Sequence, residues 1–300
     1  MTQITANNIT IEYESYGDET GPAMLLVMGL GAQLTYWPME LVEALVARGF
    51  RVIRYDNRDI GLSQKFDSAG KISIPWTFIK ARFGITPKVP YTLTDMAADA
   101  VGLLDALGID KAHIVGASMG GMISQLIAAE HPGRVLSLTS IMSTTGYRKL
   151  PQADKEAMQA LTAPLKNTDL DTIRVHGVRI ARAIGSPAYP ADEADLHQRI
   201  ESNFKRSFYA AGMPRQMAAI IADGDRRARL AKITAPTLVV HGEADPLVKV
   251  EGAHDTAQHI SGAKLKLFPG MGHDLPVQLV DPMADAISEH AASAVDSVPA

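Results

Sequence analysis

This chain of 300 residues contains no cysteine. Disulfide bonds, a thiolate nucleophile and zinc–thiolate sites are therefore excluded, and the composition fits a reducing compartment. Aromatic residues are sparse at 6%, with two tryptophans. A surplus of either charge is also missing, since the net charge is −4 and the pI is about 6.1. Bulk composition thus predicts neither nucleic acid nor an anionic membrane surface as a partner. Long hydrophobic runs are absent. The longest, Ala23 to Leu30, falls far short of the roughly 20 residues that span a bilayer, so no integral membrane association is expected. Met1 to Asn8 carry neither a basic nor an apolar signal region, which makes a cytoplasmic protein the expectation. Internal repeats and low-complexity stretches are not found.

What is present is an ordinary globular balance, 46% hydrophobic and 21% charged, at a length that suits one large domain or one domain with an insertion. Ile9 to Tyr16 alternates with period two and reads as a half-buried strand. Ala23 to Met28 is a continuous apolar run, as a strand covered on both faces requires. A helix is expected over Trp37–Ala47, a strand over Arg51–Tyr55, and a helix from a cap at Thr94 to Leu107, stopped by Gly108. Strand His113–Ala117, helix Met119–Glu130 and strand Val135–Met142 follow. Strand and helix in alternation predict an α/β class with a mostly parallel central sheet and helices on both faces. In such sheets, ligands sit beyond the carboxyl ends of the strands.

From about Ser143 to Leu230 the pattern turns helical, with breaks at Pro151, Pro164, Pro187, Pro190 and Pro214. Residues 144–230 are read as an inserted, mainly helical cap, and residues 1–143 and 231–300 as the core. Phe204, Phe208 and Tyr209 are expected on one helical face of that cap. Strands resume at Thr237–His241 and Lys264–Phe268, a last helix is expected from Pro276 to Ala292, and residues 293–300 read as a frayed tail. Gln64 to Pro90 is a long connection with an aromatic and basic stretch around Trp76. Connections this long often carry function, and this one could wall a pocket, touch lipid or pack on the cap.

The chemistry concentrates at Gly116-Ala117-Ser118-Met119-Gly120-Gly121. A glycine-framed serine alone is often just a turn. Between a strand and a helix it is a sharp elbow, where Gly116 and Gly120 leave space that a Cβ would fill. Such an elbow exposes Oγ beside a helix N-terminus. A serine hydroxyl needs a base, and the base needs a partner to fix its tautomer. Two later strand-end loops supply both: His241-Gly242-Glu243-Ala244-Asp245 and Pro269-Gly270-Met271-Gly272-His273. His273 is the expected base, with His241 as competitor; Asp245 is the expected acid, with Glu243 as alternative. His113 reads as a core histidine, while His131 and His290 fall near helix ends. Asp274 is too close to His273 in sequence to turn back on it. The oxyanion donors are expected to be the backbone N–H groups of Met119 and Leu30, whose side chains would then be free to line an apolar pocket.

These motifs, together with Tyr55-Asp56-Asn57-Arg58-Asp59-Ile60-Gly61-Leu62-Ser63 and Val27-Met28-Gly29, resemble the α/β-hydrolase fold family over nearly the whole chain. Within it they are similar to a bacterial subgroup that includes the aclacinomycin methylesterase. The resemblance implies an α/β-hydrolase core with a cap and a carboxylic ester hydrolase with a Ser118–His273–Asp245 triad. No metal or organic cofactor is implied, and the expected partner is a small neutral short-to-medium or methyl ester, bound by a monomer or homodimer. It also implies that Asp56 and Arg58 form a structural ion pair and turn. Met28 stands where many relatives carry histidine, which puts the rigidity of that loop in question. Met28, Trp76, Phe204 and Phe208 are candidate pocket residues. C–C bond hydrolysis, acyl transfer and perhydrolysis use the same triad, and a non-catalytic ligand-binding protein is the reading from a different class.

Overall fold

The computed structural model describes residues 2–295. Among these, eight strands form one sheet: β1 (Thr2–Ala6), β2 (Ile9–Tyr16), β3 (Ala23–Val27), β4 (Arg51–Tyr55), β5 (Ala112–Ala117), β6 (Val135–Ile141), β7 (Thr237–Gly242) and β8 (Lys264–Phe268). Their spatial order is β1-β2-β4-β3-β5-β6-β7-β8. The pairs β1/β2 and β2/β4 are antiparallel, and every pair from β4 through β8 is parallel.

Side-chain alternation explains why β3 has to be apolar throughout. Leu25 and Val27 enter one core layer, with Met96 and Leu104 of α3 (Leu93–Ala106) and Ile123 and Leu126 of α4 (Met119–Glu130). Met24 and Leu26 enter the opposite layer, with Leu41 and Leu45 of α1 (Met39–Ala47) and Met283 and Ile287 of α11 (Val280–Val295). A strand covered on both faces cannot alternate with polar residues without burying them unpaired. The outer β1 is mostly exposed and largely polar.

The expected strands β2, β4 and β8 and helix α4 have the limits read from the sequence. Elsewhere the structure differs. The cap of α3 is Thr92, not Thr94: its hydroxyl accepts from Asp95 N–H at 3.1 Å, and the Asp95 carboxylate accepts from Thr92 N–H at 2.7 Å. Two helices went unread, α2 (Ile74–Arg82) inside the long connection and α10 (Glu251–His259). The last helix begins at Val280 after a short 3-10 turn and runs to Val295, so residues 293–295 are helical rather than frayed; residues 296–300 lie outside the described residues.

Between β6 and β7 the chain forms α5 (Lys155–Thr162), α6 (Leu170–Ile184), α7 (Glu193–Arg206), α8 (Gly212–Asp223) and α9 (Arg227–Leu230), with no strand among them. Because α7 stops at Arg206 and Ser207 is extended, Phe208 and Tyr209 lie beyond it and do not share its face. The rings of Phe204 and Phe208 still meet, with centroids 5.3 Å apart.

Candidate active site

Four loops at the carboxyl ends of parallel strands supply the site: those after β3, β5, β7 and β8. Ser118 sits between β5 and α4 with φ 57° and ψ −119°, a conformation that is strained for a residue with a side chain. Its N–H donates to Ile141 O at 2.9 Å, which pins the elbow to β6. A Cβ on Gly116 would run into the Gly120 carbonyl, and one on Gly120 into the Val27 carbonyl. The glycine spacing is thus enforced by backbone on both sides.

The structure brings the three predicted side chains into one hydrogen-bonded chain. His273 Nε2 lies 2.9 Å from Ser118 Oγ, and His273 Nδ1 lies 2.7 Å from Asp245 Oδ2. Asp245 is 2% exposed. Burial pushes its carboxyl up, but the neighbouring His273 and His241 outweigh that, by charge and hydrogen bonds, and hold it well below the usual carboxylate range. An ionised Asp245 accepts from Nδ1–H, which leaves the Nε2 lone pair to accept the Ser118 hydroxyl proton. Asp245 Oδ1 also accepts from the N–H groups of Leu247 and Val248, each at 2.8 Å, so the carboxylate is locked in place.

The competing residues have other work. His241 Nε2 lies 2.7 Å from Val248 O and 3.4 Å from Asp245 Oδ2, behind the acid and away from the serine. Glu243 is exposed. Asp274 pairs with the Ser186 hydroxyl. His113 is buried with Nδ1 2.8 Å from Ser137 Oγ. His290 is not near a helix end as expected: it is buried within α11, 3.1 Å from Pro236 O.

Neither Leu30 N–H nor Met119 N–H has an acceptor among the described residues. The Met119 side chain, however, is fully buried in the core beside Ile123 and Leu126, so it lines no pocket. Leu30 packs half-buried against the same layer. The loop that carries Leu30 is held at both ends. Asn57 Nδ2 donates to Met28 O at 2.8 Å, and Gly31 N–H donates to Gln216 Oε1 at 2.9 Å. Gln216 Nε2 in turn donates to Arg58 O at 2.8 Å. These contacts hold the loop with methionine at position 28. Sequence reasoning missed Gln216, which is 185 residues from its partner, and only the side-chain amide type hints at a bridging role.

Asp56 and Arg58 do not pair with each other. Asp56 binds Arg206 of α7 at 2.7 Å and accepts from Leu34 N–H and Leu62 N–H; Arg58 makes a two-pronged bond to Asp99 at 2.6 and 2.7 Å. Asp59, at φ 69°, binds Arg215 of α8 with both oxygens, at 2.7 and 2.8 Å. Adjacent residues in an extended turn point different ways, so each charge meets a partner from another element. The His273 loop is also tied to the inter-strand helices: His273 N–H donates to Ile184 O at 2.7 Å, and Gly272 N–H to Ser186 Oγ at 2.8 Å.

Of the candidate pocket residues, Met28 is buried next to the Leu30 loop, Phe204 is half-buried and Phe208 is exposed. Trp76 stands 57% exposed on α2, with Lys80 Nζ 5.8 Å over its ring. An open groove of about 720 Å³ lies between α5 and α6, lined by Gln159, Val175 and Arg179, but no triad residue borders it. No group of three His, Asp or Glu side chains among the described residues could hold a metal ion. No described helix is long and apolar enough to cross a membrane.

Comparison with known proteins agrees with this architecture. A family described as "alpha/beta hydrolase fold" matches residues 22–278. The chain is 30% identical to rhodomycin D methylesterase from Streptomyces peucetius, covering 97% of this chain and 98% of that protein. Among solved structures, the enol-lactonase from Burkholderia xenovorans LB400 superposes with a TM-score of 0.71 at 24% identity, covering 99% and 100% of the two chains. A meta-cleavage product hydrolase from Pseudomonas fluorescens IP01 superposes with a TM-score of 0.77 at 19% identity, covering 98% of each.

Proposed function

The chain belongs to the α/β-hydrolase fold family, and from that premise we propose that it is a serine hydrolase that cleaves carboxylic esters through an acyl-serine intermediate. The observation that carries this reading is the unbroken chain from Ser118 Oγ through both His273 nitrogens to Asp245, on a strained elbow beside two N–H groups without acceptors. The likeness to a methylesterase supports ester cleavage, with methyl esters among the substrates.

In this reaction His273 Nε2 takes the Ser118 proton as Oγ attacks the ester carbonyl. The carbonyl oxygen becomes an oxyanion held by the Leu30 and Met119 N–H groups, a type of donor worth about 2.7–4 kcal/mol each in the transition state. His273 then gives the proton to the leaving alkoxide oxygen, and the alcohol departs. Water repeats the cycle on the acyl-serine, releasing the acid and restoring the hydroxyl. Met28, Phe204 and Phe208 are assigned to the apolar wall, which favours neutral short-to-medium acyl chains. Residues 144–230 act as the cap that closes over it.

Hydrolysis of p-nitrophenyl esters of increasing acyl length tests the proposal. The wild type is expected to show a short-to-medium optimum, and Ser118→Ala to lose more than about a thousandfold in kcat. Undiminished turnover in the variant, or a folded wild type inert to every neutral ester, would overturn it.

A further inference from the structure

Helix α2 is turned inside out. Its polar Thr77 faces the protein at 7% exposure, its hydroxyl donating to Ser73 O, whereas Trp76, Phe78 and Phe83 stand 57%, 59% and 78% exposed. Five of the eleven exposed large apolar side chains among the described residues fall between positions 76 and 85. Exposed apolar side chains gathered in one short segment mark an interaction site.

The charge on the same segment is equally one-sided. From Ser68 to Thr94 there is no aspartate or glutamate, while Lys71, Lys80, Arg82 and Lys88 are all cationic, in a chain whose net charge is −4. None of the four side chains makes an ion pair or a hydrogen bond to another described residue, and Lys71, Arg82 and Lys88 are exposed. The acidic bulk composition hides this local surplus. At physiological salt, screening acts over about 8 Å, so a nearby surface feels the patch and not the whole molecule.

We propose that the exposed face of residues 71–88 is a docking surface for an anionic lipid bilayer. Aromatic side chains ringed by lysine and arginine suit the headgroup boundary, where the rings enter the acyl edge and the cations meet lipid phosphates. A second copy of this chain fits the face poorly. A two-fold contact sets a patch against itself, bringing these cations together with no acid to neutralise them. The occupant must therefore bring its own negative charge and accept shallow apolar insertion. Helix α2 packs against α8, the helix that carries Gln216 to the Leu30 loop. Docking there would hold the site close to the lipid surface.

The test uses the intact protein with vesicles of phosphatidylcholine alone and of phosphatidylcholine mixed with phosphatidylglycerol. Trp37 is fully buried, so a change in tryptophan emission reports Trp76. Co-sedimentation with the anionic vesicles only, weakened by added salt and accompanied by a blue shift, is the expected result. Each cation near an anionic leaflet multiplies binding by roughly fivefold, so Lys71→Glu with Lys88→Glu is expected to lower it more than about tenfold. Phe78→Ser with Phe83→Ser is expected to weaken binding while ester hydrolysis in buffer stays unchanged, which shows that the variant is folded. No sedimentation with either vesicle, or equal sedimentation with both at any salt, would overturn the proposal. So would a dimer in solution that the Phe78/Phe83 variant dissolves without any vesicle binding, which would assign the face to a second copy.

Discussion

Histidine has one side-chain chemistry, and its surroundings decide what it does with a proton. His273 stands between a carboxylate and a hydroxyl, so both ring nitrogens have hydrogen-bond partners, and in the proposed mechanism only Nε2 passes a proton. His113 is buried between strands with Ser137 Oγ as its partner and Phe50 at its edge, and burial, aided by His290, lowers its pKa to about 4. Its consequence concerns stability. Below its ordinary pKa of 6.5 the unfolded chain takes up a proton that the folded chain refuses until about pH 4. Stability therefore rises with pH across that window and is lost on acidification, by about 2–3 kcal/mol between pH 7 and pH 4.5. Urea unfolding of wild type and His113→Asn at both pH values checks this. The variant is expected to be less stable at pH 7 for lost packing, yet to lose less on acidification. An equal loss in both proteins would refute the assignment.

An element can matter more for what it holds than for what it covers. Helix α8 presents Gln216 to the Gly31 N–H and to the Arg58 carbonyl, next to the Leu30 N–H that the oxyanion would use. In the proposed mechanism Gln216 is a positioning residue: it touches no reacting atom but holds the donor loop through Gly31. Because that donor strengthens its bond only in the transition state, Gln216→Leu is expected to lower kcat about 10- to 100-fold with KM little changed. A change confined to KM, in steady-state kinetics on a short p-nitrophenyl ester, would mean that Gln216 shapes binding instead.

Elements of this kind are also where reading a sequence reaches its limit. Strands β4 and β8 and helix α4 were legible because their own residues carry the pattern. The buried residues of helix α10 are Gly252, Ala253 and Thr256, too small to make an apolar stripe. Helix α2 turns its aromatic residues outward, so its stripe points the wrong way. The Thr92 cap is legible in principle, since Thr-x-x-Asp is a capping box, but Thr94 is also a cap-forming residue two positions on. Ser118, Asp245 and His273 stood out because each ends a strand in a glycine-bearing loop. Gln216, Arg206 and Arg215 did not, because their partners lie about 150 residues or more away and nothing local marks the pairing.

At the scale of the whole molecule, the helices between β6 and β7 tie together the loops of the site. Ile184 and Ser186 hold the His273 loop, Gln216 holds the Leu30 loop, and Asp154 N–H donates to Pro246 O beside Asp245. Two buried ion pairs, Asp56–Arg206 and Asp59–Arg215, join the same helices to the turn after β4. Both aspartates are fully buried, so removing either arginine strands a charge, at a cost of about 3–5 kcal/mol. The wild type is therefore expected to melt in one cooperative calorimetric transition. Arg206→Met with Arg215→Met is expected to split it, the helices loosening first, with proteolytic nicks between residues 144 and 230 appearing before the sheet unfolds. If those helices scaffold both catalytic loops, ester hydrolysis has to fall with the first transition and in step with the nicking. Activity that survived the first transition would show that the sheet alone can hold the triad and the oxyanion loop, leaving the helices as a lid.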